Sequence, residues 1–138
     1  MTLQIYTDGG SLNNPGQAAY SYILLHNLQQ IALGFEKIGV ATNNIAEYTG
    51  LIKALEKVKE LKASGKFLIN NIEVFSDSSL MVNQLNGLFR VKNAKIRECV
   101  FKVRALEGEL NLPIIYRHIL REKNTLADSL VKKALKSS

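Results

Sequence analysis

The spacing of apolar and polar residues changes several times along the chain, and each change marks an element. Residues 2–7 predict a short strand, which Asp8-Gly9-Gly10 should break. Ser11 to Gly16, containing Asn13-Asn14-Pro15-Gly16, is strong turn chemistry. Tyr20–Leu25 and Ile31–Ile38 read as two further strands joined near His26-Asn27, so the first third of the chain predicts an antiparallel meander. From Asn44 the period becomes helical, with Ile45, Tyr48, Leu51, Ile52, Leu55, Val58 and Leu61 recurring on one face. Beyond Ser64-Gly65, Ile72–Phe75 predicts a buried strand and Ser78–Leu85 a short helix. A longer helix follows Asn93, carrying Ile96, Val100, Val103, Leu106 and Leu110; Pro113–Tyr116 predicts a fifth strand and Thr125–Leu135 a last helix.

This order implies an α/β domain: a mixed five-stranded sheet, made of a meander and two crossover-linked parallel strands, flanked by helices. No repeat, low-complexity tract or linker interrupts residues 1–138, which are read as a single domain.

Four acidic residues fall where predicted strands end or helices begin. Asp8 closes the first strand and Asp77 the fourth; Glu47 lies in the first turn of the long helix and Asp128 in that of the last. Taken singly, each fits a bland role better. Asn44-x-x-Glu47 and Thr125-x-x-Asp128 match helix capping boxes, Asp77 matches an N-cap, and Asp8 before two glycines matches a turn. The helix faces shift that balance, because Glu47 shares the sheet-facing stripe of Leu51, Leu55 and Val58, and Asp128 stacks with Val131 and Leu135. A carboxylate on a buried face is costly without a partner. If the strands carrying Asp8 and Asp77 are neighbours, all four acids converge at one sheet edge and call for a cation. Oxygen-only ligands favour Mg²⁺ or Mn²⁺ over zinc. Two such ions about 4 Å apart can activate a water and stabilise the leaving oxygen of a phosphodiester.

Charge adds a partner to this picture. The formal net charge is +6, and the surplus lies beyond Leu88, where twelve lysines and arginines between Arg90 and Lys136 face five acids. Such a basic half suits a polyanion, although a solvated Lys-rich surface would look the same. The lone Cys99, followed by Val100 and Phe101, can form no intramolecular disulfide and reads as a packed core residue. No signal-peptide pattern opens the chain and no run approaches the length of a membrane span, so a soluble, cytoplasmic protein with no membrane partner is expected.

Four stretches in register resemble the motifs of type 1 ribonuclease H. They are Tyr6-Thr7-Asp8-Gly9-Gly10-Ser11 with Asn14-Pro15-Gly16; Thr42-Asn43-Asn44-Ile45-Ala46-Glu47; Phe75-Ser76-Asp77-Ser78; and His118, Arg121-Glu122, Asn124 and Ala127-Asp128. The resemblance implies a ribonuclease H-like fold and hydrolysis of the RNA strand of RNA–DNA hybrids, leaving 5′-phosphate and 3′-hydroxyl ends. It implies Asp8, Glu47, Asp77 and Asp128 as ligands of two Mg²⁺ ions, with Mn²⁺ able to substitute. It gives His118 a part in proton handling or product release from a mobile loop, and it places Asn14, Thr42 and Asn43 against the substrate backbone. The working unit is expected to be a monomer.

The chain also departs from many bacterial members. It has no Trp, and Leu88–Leu112 is too short for their basic protrusion, so it resembles the compact forms, some of which accept other RNA-containing duplexes. Ser79 stands where several relatives have Gln. Two other classes compete with this reading. One is a junction resolvase or exonuclease on a similar acidic scaffold; the other is a nucleic-acid-binding module without catalysis, which the presence of all four acids argues against.

Overall fold

The structure, a computed structural model, describes residues 1–137. Its elements run β1 (Thr2–Ser11), β2 (Gly16–His26), β3 (Gln29–Ala41), α1 (Asn43–Ala63), β4 (Asn71–Ser76), α2 (Ser79–Leu85), α3 (Ala94–Leu110), β5 (Ile114–His118), a 3₁₀ turn (Arg121–Lys123) and α4 (Thr125–Lys136). The sheet order is β3-β2-β1-β4-β5. β1, β2 and β3 form the antiparallel meander, and β4 lies parallel to both β1 and β5. The mixed five-stranded α/β sheet expected from the sequence is therefore the one observed.

One local expectation fails informatively. β1 does not break at Asp8-Gly9-Gly10; it stays paired with β2 through Asp8↔Ser21, Gly9↔Tyr20 and Gly10↔Ala19 to Ser11↔Ala18. Gly9 serves close approach rather than a turn. A Cβ there would stand 2.2 Å from the carbonyl carbon of Ala46 and 2.4 Å from the Glu47 nitrogen. Gly50 plays the matching part on α1, where a Cβ would meet the Asp8 carbonyl oxygen at 2.9 Å. Together they let the helix lie directly on the strand that carries Asp8.

The capping readings are also corrected. Thr42 caps α1, its Oγ1 accepting the Ile45 N–H at 3.2 Å, so Glu47 falls in the second turn and forms no box with Asn44. Ser78, not Asp77, caps α2 through the Met81 N–H. Asn124 occupies the N-cap position of α4, and Thr125 forms no box with Asp128. None of the four acids is consumed by a helix end.

Successive side chains of a strand point to opposite faces. On one face Leu3, Ile5, Tyr20, Leu24, Ile72 and Val74 meet Tyr48, Leu51, Leu55 and Val58 of α1 and Val103 and Leu110 of α3, which is the main core. Cys99 packs at its margin, as expected. On the other face α4 stands over a small separate cluster of Ala19, Val131 and Ala134, edged by Phe35 and Leu135. No helix among the described residues is long and apolar enough to cross a membrane.

Candidate active site

Parallel pairing of β1 with β4 ends at Tyr6↔Phe75. Two residues beyond that pair stand Asp8, still within β1, and Asp77, just past the end of β4, so the two acids leave neighbouring strands side by side. Glu47 reaches them from α1, its Oε1 accepting the Gly9 N–H at 2.8 Å and its Oε2 facing the Ser76 hydroxyl at 3.4 Å. Carboxylate oxygens of Asp8, Glu47 and Asp77 all lie within 4.8 Å of one another. Asp8 and Glu47 are buried. Burial pushes the Asp8 carboxyl up to about 7, and the charges of Asp77 and Asp128 push the same way. Burial, and then the adjacent Asp8, hold Glu47 well above the ordinary carboxyl range. Among the described residues, no lysine or arginine forms an ion pair with any of the three.

Asp128 is differently placed. It lines the same cavity, of about 730 Å³, but lies outside that three-acid group. Its carboxylate is paired with Lys132 Nζ at 2.9 Å and Arg121 Nη2 at 3.6 Å. The expectation of four unpartnered carboxylates therefore holds for three and is corrected for the fourth. The i,i+4 spacing of Asp128 and Lys132 on α4 is the sequence signal that could have shown this.

The remaining expected residues fall into two sets. Asn14 and Asn43 come together at the cavity wall, where Asn14 Oδ1 accepts the Asn43 N–H at 2.9 Å and Asn43 Oδ1 accepts the Ser11 N–H at 2.9 Å. Thr42 spends its hydroxyl on the α1 cap and is not part of the wall. His118 is the last residue of β5, exposed, in register with Ser76, the residue before Asp77, and also outside the wall. It ends a strand here, whereas the resemblance implied a loop. Leu80 and Lys132, which sequence reasoning missed, also line the cavity, as do Asn44 and Arg121, which stood in the motifs without a site role.

This arrangement has counterparts. Residues 6–134 match the family model described as reverse transcriptase-like. A ribonuclease HI from Halobacterium salinarum is 37% identical over 94% of this chain and 62% of its own length. The crystal structure of LC11-RNase H1 in complex with RNA/DNA hybrid is 35% identical, covers 96% of each chain and superimposes with a TM-score of 0.90. The chain belongs to the type 1 ribonuclease H family. RNase H1 from Halobacterium salinarum, 34% identical with a TM-score of 0.86, matches it over 100% of both chains. The "Bifunctional protein Rv2228c" of Mycobacterium tuberculosis is 35% identical over 98% of this chain, which spans only 36% of that protein's length. In this chain the segment available for a protrusion is occupied by the single helix α3.

Proposed function

We propose that the chain is a Mg²⁺-dependent endoribonuclease that hydrolyses the RNA strand of RNA–DNA hybrids. One observation carries the reading: three carboxylates, two of them buried, share a 4.8 Å space with no protein cation among them. Such a group is costly with every acid ionised unless a cation is added. The oxygen-only donors fit Mg²⁺ or Mn²⁺. Asp8, Glu47 and Asp77, with Asp128 across the cavity, would hold two such ions. Bound there, the ions would lower the pKa of a water for in-line attack and stabilise the departing 3′ oxygen, leaving 5′-phosphate and 3′-hydroxyl ends.

The chain's own residues do the rest. Asn14 and Asn43 present amides at the wall for the substrate backbone, and Thr42 keeps that corner fixed through its cap. His118, paired in the sheet with Ser76 one residue before Asp77, moves a proton or eases product departure. Similarity to LC11-RNase H1, which was solved with an RNA/DNA hybrid, supports the substrate class. The 2′-hydroxyl and duplex shape are the features by which the RNA strand would be told from DNA. Arg97 donates to the carbonyls of Val91 and Lys92, bracing a loop from which Arg90 and Lys92 face solvent for phosphate contacts. A monomer suffices, because all four acids come from one chain.

The test is incubation with a hybrid, duplex DNA, a four-way junction and single-stranded RNA, with and without Mg²⁺. Cleavage confined to the RNA of the hybrid, with 5′-phosphate ends and dependence on Mg²⁺, is expected. Cutting of the junction or of duplex DNA instead would move the chain to another nuclease class.

A further inference from the structure

The carboxylate of Asp128 stands on the face of the sheet with the weaker apolar anchorage. Val131 and Ala134 seat the middle and end of α4 on Ala19. Its first turn instead borders a cavity of about 180 Å³, lined by Tyr6, Ile23 and Leu25 on the sheet and by Asn124–Ala127 on the helix side. Two buried hydrogen bonds cross there. Ser21 Oγ donates to the carbonyl of Ala127 at 2.7 Å, and Asn124 Nδ2 donates to the carbonyl of Thr7 at 2.8 Å.

The partners of these bonds are reciprocal. Ala127 immediately precedes Asp128, and Thr7 immediately precedes Asp8. Ser21 is the β2 residue paired with Asp8 in the sheet. The Asp128 N–H in turn donates to the carbonyl of Asn124 at 3.0 Å. The strand that carries Asp8 is thus tied to the N-cap of the helix that carries Asp128, and that helix is tied in turn to β2, the strand paired with Asp8.

The side chain of Asn124 also gives up two local gains to make its bond. Asparagine is among the best N-cap residues, yet Asn124, at the N-cap of α4, makes no cap hydrogen bond. Its Oδ1 is buried without a protein partner, in a residue only 2% exposed, and Thr7 Oγ1 is likewise unpartnered. Local rules tend to be broken where position matters more than stability.

We propose that Ser21 and Asn124 are positioning residues that set where Asp128 stands relative to Asp8, and so set the affinity for the divalent cation these two acids share. The proposal rests on the metal reading given above. It assigns the two side chains no contact with metal or substrate. Supporting groups behind metal ligands characteristically change metal affinity by about 10- to 100-fold when removed.

The experiment compares wild type, Ser21→Ala, Asn124→Ala, Asp128→Asn and Val103→Ala. Val103 lies fully buried in the main core, so its truncation controls for loss of stability alone. Two readouts are taken: Mn²⁺ binding by titration calorimetry on the intact protein, and the Mg²⁺ concentration giving half-maximal hybrid cleavage. Ser21→Ala and Asn124→Ala are expected to weaken, by about 10- to 100-fold, the binding component that Asp128→Asn removes. Their half-maximal Mg²⁺ concentration should rise in step, with turnover recovering at saturating Mg²⁺. Val103→Ala should lower the thermal midpoint and leave both readouts unchanged. Should Asn124→Ala fail to fold, Ser21→Ala, which removes a single hydroxyl, carries the test. Wild-type metal dependence in Ser21→Ala, or an equal shift in Val103→Ala, overturns the proposal while leaving the metal reading intact. If Asp128→Asn removes no binding component from a protein that binds Mn²⁺, the metal role of Asp128 fails and the proposal falls with it.

Discussion

From the main-core side of the sheet, Glu47 is pressed onto β1 by two glycines and a well-packed helix, and it joins Asp8 and Asp77 in a group that, among the described residues, no lysine or arginine pairs with. On the other side, Asp128 rides on a lightly anchored helix, outside that group, and two protein cations already neutralise it. The first arrangement stores repulsion that an ion would relieve; the second is satisfied as it stands. A cation therefore gains most from the three-acid group, and drawing in Asp128 requires loosening Lys132 and Arg121.

The largest effects should split these two regions by sign. Asp77→Asn and Asp128→Asn should each reduce hybrid cleavage to background. With divalent ions chelated, however, Asp77→Asn should raise the thermal midpoint, most clearly above about pH 7, because it removes a charge that repels those of Asp8 and Glu47. Asp128→Asn should leave the midpoint level or slightly lower, since exposed ion pairs contribute only about 0–1 kcal/mol. Thermal melts in EDTA decide this, and a rise in both variants would mean that Asp128 shares the strain of the other three.

Acidity sharpens the same contrast. Asp8 is raised from the ordinary carboxyl value of 3.8 to about 7, chiefly by burial, and Glu47 moves in the same direction. A carboxyl whose folded pKa lies above its unfolded one binds more protons when folded, so its contribution is present below the unfolded value and is lost as pH rises through the folded one. In EDTA the midpoint should fall by several degrees between about pH 5 and pH 8, and saturating Mg²⁺ should restore it at the upper end. Asp8→Asn should flatten the profile. A wild-type midpoint that rises over that window in EDTA contradicts the burial of these acids.

The contrast also explains what could be read from the sequence. Strand and helix order was legible because apolar period and turn residues are local, and the acids at Asp8, Glu47, Asp77 and Asp128 stood out through their place on those periods. The role of Gly9 was not legible, because it depends on Ala46 lying 2.2 Å from a Cβ that is absent. Nor were the caps. Thr42, Asn43 and Asn44 are all plausible N-caps by residue type, so propensity alone does not single out Thr42, which caps the helix. The bonds of Ser21 and Asn124 join residues more than a hundred positions apart and leave no periodic trace.

His118 provides an intermediate effect. It pairs with Ser76, the residue before Asp77, across β4 and β5, yet it does not line the cavity. A group that assists proton movement without holding the ions should cost about 10²-fold or less in kcat, the lower end of general acid–base contributions. His118→Ala should show that loss at every Mg²⁺ concentration, with the half-maximal concentration unchanged. Rescue by excess Mg²⁺ would make it a ligand, and wild-type turnover would remove it from the reaction.

The smallest effect concerns the cation that satisfies Asp128. Lys132 is solvent-exposed, and an exposed pair contributes about 1 kcal/mol at most, so freeing Asp128 from it can change ion affinity by no more than about fivefold. Lys132→Met should lower the half-maximal Mg²⁺ concentration within that limit, because the incoming ion no longer competes with an ammonium group 2.9 Å from the carboxylate. Arg121, at 3.6 Å and more exposed still, should matter less. Added salt screens exposed pairs, so the advantage of Lys132→Met over wild type should shrink as ionic strength rises. A higher Mg²⁺ requirement in Lys132→Met would reverse the assignment, showing that the lysine works with the ions on substrate phosphate rather than against them for Asp128.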